Sequence, residues 1–163
     1  GYTNELGFNG NNSMNSFNHY SFGAVYEWMM AYQLGIAADP AQPGYQHFIL
    51  QPTVGGTFTY VNGSFDSVYG RILSGWVAED GKMMYYDLQI PANTSATLYL
   101  PATGEVSVPE EVMVIGTVIH NGIETTQMEL PSGSWHFGMG EGRIQVAATA
   151  SGSYPNVWSN PAA

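Results

Sequence analysis

The chain has 163 residues, 44% of them apolar, which is enough for one sizeable core or for one domain plus a piece of another. With 13 acidic side chains against 3 basic ones the formal charge is −10, so no basic surface exists to hold a phosphate backbone, and nucleic acid is excluded as a partner. Cysteine is absent, which removes disulfides and thiolate metal sites, and no uninterrupted apolar run of about 20 residues is present that would cross a membrane as a helix.

In chain order, "GYTNELGFNGNN" at 1–12 is rich in Gly and Asn and reads as a loop. A helix is expected from Asn15 or Ser16, either of which can cap its first turn. Phe17, Tyr20, Ala24, Trp28 and Ala31 recur at three- and four-residue intervals, while Val25, Tyr26, Met29 and Met30 fill the opposite side. Only Glu27 in this stretch carries a fixed charge. A helix without a polar face is normally buried, since each exposed large side chain forgoes roughly 1.5–3 kcal/mol of burial. The expected helix therefore calls for neighbours on several sides, and the rest of the chain supplies no second helix. "ADPAQPGYQ" at 38–46, with two prolines and a glycine, reads as a linker.

Beyond residue 46 the period changes to two. "HFIL" at 47–50, "TFTYVNGSF" at 57–65 and "YGRILSGWV" at 69–77 read as strands. "MMYYDLQI" at 83–90 follows, with Met84, Tyr86, Leu88 and Ile90 expected on one face. Asp80-Gly81 predicts a tight hairpin, because a two-residue type I′ turn needs positive φ at both positions. "SATLYL" at 95–100 brings Ala96, Leu98 and Leu100 together, and "EVMVIGTVIH" and "IETTQMEL" flank Asn121-Gly122 as a second hairpin. "GSWHF" at 133–137 is expected as the last strand. The fold class that follows is mainly β, an antiparallel β-sandwich preceded by one long α-helix. Its expected divisions are a helical piece at 1–37, a linker at 38–46, a sandwich at 47–138 and an extended tail at 139–163.

The chain holds few candidates for acid–base chemistry. Glu79 and Asp80 belong to a turn, Glu110 and Glu111 lead into a strand, and Glu124 and Glu129 have the period of a solvated strand face. His47, His120 and His136 are scattered without metal-ligand spacing, and no nucleophile-elbow, zincin, Walker or dinucleotide pattern is present. "GMGEG" at 138–142 follows a strand and leads to no helix, which makes it a turn rather than a phosphate loop. Asn15, Ser16, Asn18 and His19 gather hydrogen-bonding side chains at the start of the apolar helix, a group suited either to capping or to sugar hydroxyls. Tyr60, Tyr69, Trp76, Tyr85, Tyr99 and Trp135 offer rings for sugar stacking or for core packing.

"SMNSFNHYSFGAVYEWM" with "GYQHFILQP" resembles the C-terminal part of bacterial α-L-rhamnosidases, glycoside hydrolase family 78. "SVYGRILSGW", "DLQIPANTSATLYLP" and "LPSGSWHF" are similar to that family's C-terminal β-sandwich, in the same order, so that the resemblance covers roughly residues 7–137. It implies an (α/α)6 toroid as catalytic domain, of which the apolar helix would be the last helix, with the sandwich attached after it. It also implies removal of terminal α-L-rhamnose with inversion by two well-separated carboxyl groups, one acid and one base. Both would precede Gly1, and the surroundings of Glu5 do not match the family's base loop, so no catalytic residue is expected in this chain. By the same resemblance His19 is expected to contact the sugar, with Asn18 as a second contact, and no cofactor or metal is implied. The partners expected are a rhamnose-containing glycoside and an upstream catalytic domain, with self-association through the helix when that domain is absent. Two other readings fit the same strands: a non-catalytic carbohydrate-binding module, and a plain sandwich for adhesion or assembly. The compartment is left open.

Overall fold

The computed structural model describes residues 2–3, 7–8 and 21–150. Strands β1 (Tyr2–Thr3) and β2 (Gly7–Phe8) pair antiparallel, so the stretch expected as a plain loop contains a minimal hairpin. Helix α1 (Ser21–Trp28) continues into one π-helical turn, Met29–Gln33, closed by the Leu34 N–H donating to the Met29 carbonyl at 3.0 Å. The remaining described elements are strands, and these give the mainly β fold class read from the sequence: β3 (Ile36–Ala38), β4 (His47–Leu50), β5 (Tyr60–Ser67), β6 (Gly70–Glu79), β7 (Lys82–Leu100), β8 (Glu105–Ser107), β9 (Met113–His120), β10 (Ile123–Gly140) and β11 (Arg143–Ala148).

Two strands are unusually long, and they organise the sandwich. The first half of β7 pairs with β6, through Leu73↔Gln89 to Glu79↔Lys82, and its second half pairs with β4, through His47↔Ser95 to Leu50↔Leu98. β10 divides in the same way: Ile123 to Glu129 pair with β9, and Trp135 to Gly140 pair with β11. One layer is thus β5-β6-β7-β10-β11-β8 and the other β3-β4-β7-β10-β9, with β7 and β10 passing from layer to layer. Strands that switch sheets in this way need bends. Here they fall at Pro91–Thr94 and at the register shift between Pro131 and Gly133, where Asn93 has φ 62° and Gly133 φ 150°. Proline supplies no ladder donor, which suits it to a corner. Thr94 Oγ1 donates to the Pro91 carbonyl at 2.7 Å and the Trp135 indole to the Pro131 carbonyl at 3.1 Å, holding both corners.

Between the layers lies one core. Phe48, Leu50, Ala96, Leu98, Leu100, Met128 and Leu130 enter it from one sheet, and Ile72, Trp76, Tyr86, Leu88, Phe137 and Ile144 from the other. The Tyr86 phenol is fully buried, and burial pushes its pKa well above the usual tyrosine range; Ser74 Oγ lies 3.1 Å from it.

Both predicted hairpins form, with Asp80 and Gly81 at φ 49° and 73° and Asn121 and Gly122 at 51° and 79°. Elsewhere the structure departs from the sequence reading. Most ladders are antiparallel, but β4–β7 and β8–β11 are parallel. Met83 is buried in place of Met84, because the β6–β7 ladder shifts register between Val77 and Ala78 and skips Met84. Residues 39–46, expected as part of a linker, join two paired strands, and β3 lies across the expected boundary at 37/38. In the expected tail, β11 is a paired strand whose Ile144 and Val146 are buried.

Candidate functional site

Two features stand out as surfaces able to act on something else. The first is the helical segment. Its C-terminal end is fixed to the sandwich by side chains that satisfy the carbonyls a helix end leaves unpaired. The Trp76 indole N–H donates to the Gln33 carbonyl at 2.7 Å, and Ser74 Oγ donates to the Leu34 carbonyl at 2.6 Å. Gly35, at φ 73°, then turns the chain into β3, and its carbonyl accepts from the Gln51 N–H at 2.8 Å. The outward side carries an exposed apolar row: Val25, Trp28, Met29 and Tyr32, at spacings of three and four residues, are 45–62% exposed. The Trp28 and Tyr32 rings lie 6.4 Å apart at 27°. Met30 packs inward against the core.

The second feature is a pocket of about 410 Å³ where this helical end meets the tip of the β9–β10 hairpin. Its size is within the range of about 300–1,000 Å³ usual for small-molecule clefts. Gln51 Oε1 accepts from His120 Nε2 at 2.6 Å and from Asn121 Nδ2 at 3.1 Å. The His120 ring lies flat on Tyr99, with centroids 3.7 Å apart and planes 9° from parallel. Tyr32, Pro52 and Ile123 complete the walls, and the Thr53 N–H donates to the Tyr32 carbonyl at 3.0 Å, tying the pocket to the helix. No Asp, Glu, Lys or Arg lines it. A larger cavity of about 720 Å³ is lined by the β6–β7 and β10–β11 turns, with Lys82, Glu141 and Arg143 among its walls.

The sequence-based sugar contacts His19 and Asn18 lie outside the described residues, as does Glu5. The other three histidines each have a partner. His47 bonds Ser95 Oγ at 2.7 Å and Thr97 Oγ1 at 3.0 Å, and Thr97 in turn donates to Glu129 at 2.7 Å. His136 Nδ1 bonds the buried Asp87 at 2.5 Å, under the stacked ring of Tyr85. Among the described residues no three His, Asp or Glu side chains gather as metal ligands. Of the aromatic candidates, Trp76 and Trp135 are core residues, whereas Tyr60 and Tyr85 are exposed on strands and Tyr69 is exposed in the β5–β6 turn. Gln51 and Tyr32 had no sequence signal pointing to a pocket. Gln51 lies 69 and 70 residues from its partners, and Tyr32 reads as one more apolar helical position.

Comparison with known proteins bears on the whole assembly. Residues 35–114 match the family model described as the bacterial alpha-L-rhamnosidase C-terminal domain. An alpha-L-rhamnosidase of Streptomyces avermitilis is 34% identical over 125 residues, which is 76% of this chain and 12% of that protein. One of Formosa agariphila is 32% identical over 65% of this chain and 11% of its own length. The crystal structure of the Streptomyces avermitilis alpha-L-rhamnosidase complexed with L-rhamnose superposes with a TM-score of 0.56 at 32% identity, over 76% of this chain and 11% of that one. The chain therefore spans about a tenth of the length of the curated relatives it matches.

Proposed function

We propose, from the premise that residues 35–114 belong to the C-terminal domain family of bacterial α-L-rhamnosidases, that this chain is the C-terminal part of an inverting hydrolase removing terminal α-L-rhamnose from rhamnosides. In this reading the sandwich is an accessory domain that braces an (α/α)6 catalytic domain of glycoside hydrolase family 78. The helical segment is the last helix of that domain, and the division between the two parts falls at Gly35, where the π-turn ends and β3 begins.

The observation that carries the reading is the exposed stripe Val25–Trp28–Met29–Tyr32 on a segment whose other end is anchored in the sandwich. A monomeric domain rarely leaves so contiguous an apolar row open to water, and a rigid attachment beneath it suits a permanent contact. The acid and the base then come from the catalytic domain, and His19, followed by Asn18, forms part of the wall that holds the rhamnose. One carboxyl group protonates the leaving oxygen while the other activates water on the opposite face of the ring, which requires the two to stand apart.

The test has two arms. The 163-residue chain alone should release no chromophore from an aryl α-L-rhamnoside, and turnover by a pure sample would contradict the assignment of the acid and base to an upstream domain. In a polypeptide joining it to that catalytic domain, His19→Ala should raise KM at least several-fold with an unchanged melting temperature. Kinetics identical to wild type would remove His19 from the sugar wall.

A further inference from the structure

We propose that the pocket between Gln51 and the β9–β10 hairpin tip is a binding site for a neutral sugar ring, requiring no catalysis by this chain. The argument begins with charge. A chain of net charge −10 repels anions, and a pocket lined by no Asp, Glu, Lys or Arg offers a cation no counter-charge. A neutral ligand remains.

The polar groups are already fixed. Gln51 Oε1 takes two donors at once, His120 Nε2–H and Asn121 Nδ2–H, which saturates that oxygen and orients the amide so that its NH2 group is the donor presented elsewhere. His120 Nε2 bonds Gln51 Oε1, and the Tyr99 stack holds the ring in place. Two side-chain amides and an imidazole within one small pocket match the vicinal hydroxyls of a pyranose, each of which both donates and accepts.

The other walls are apolar. Pro52 and Ile123 present carbon surface, with Ile123 45% exposed at the mouth. A pyranose has the same division, with C–H groups on its faces and hydroxyls around its edge.

Isothermal titration of the full chain with methyl α-L-rhamnopyranoside and methyl β-D-glucopyranoside, with phenol as a control, tests this. Saturable binding of at least one glycoside is expected, weakened at least tenfold by Gln51→Met and by Asn121→Gly. The second variant keeps the positive-φ turn and so leaves the hairpin intact. Tyr69→Ala, in the β5–β6 turn and outside the pocket lining, should leave affinity unchanged. Absence of saturable binding by both glycosides, binding of phenol alone, or affinity unaltered in the Gln51 and Asn121 variants would overturn the proposal. None of these outcomes depends on whether the chain takes part in hydrolysis.

Discussion

Gly35 controls how the helical segment leaves the sandwich. It sits at φ 73°, and a Cβ placed there would lie 2.2 Å from the Pro52 nitrogen, so both the backbone and the space require glycine. Gly35→Ala should therefore lower stability by more than about 2 kcal/mol in urea titration, combining positive-φ strain with a backbone clash. A variant as stable as wild type would show that this crossing is looser than described. At this scale the sequence is legible where chemistry is local. Asp80-Gly81 and Asn121-Gly122 announce their turns because two adjacent positive-φ residues are a property of the dipeptide. Met84 does not announce its displacement from the core, since only pairing with β6 shows that Met84 is the extra residue of a bulge in β7. The bonds joining Gln51 to His120 and Asn121 are invisible for a similar reason: nothing near residue 51 indicates which hairpin will fold over it.

At the level of elements, the helix–sandwich joint rests on few hydrogen bonds, and each can be removed. Trp76→Phe keeps most of the buried ring but leaves the Gln33 carbonyl without its donor, which should cost about 1–3 kcal/mol. Hydrogen exchange should then quicken at residues 29–34 more than in β7 or β10. A uniform increase would indicate loss of core packing instead of release of the helical end. Strand periodicity reveals most of the sheet, since Ala96, Leu98 and Leu100, and Tyr86, Leu88 and Ile90, recur at every second position and are all buried. What it conceals is continuity. Pro91 and Pro131 read as strand ends, yet both lie within single strands of 19 and 18 residues that bend from one layer to the other. β11 escapes notice because Gly and Ala surround its two buried residues, Ile144 and Val146, and pairing with β10 rather than its own propensity makes it a strand.

For the molecule as a whole, the apolar helix with no polar face is the feature that the sequence states most openly, and the fold accounts for half of it. Met30 and Leu34 reach the core, while Val25, Trp28, Met29 and Tyr32 face outward. Composition cannot say what covers that row. The account requires an upstream catalytic domain there. The absence of native cysteine permits a direct test: Val25→Cys creates a single thiol in this chain, on a residue 62% exposed. Maleimide labelling, followed by mass spectrometry of the peptide containing residue 25, should be rapid in the chain alone. It should be slowed at least tenfold in a polypeptide joining the chain to a rhamnosidase catalytic domain. Equal labelling rates in the two would contradict the claim that this helix packs into that domain.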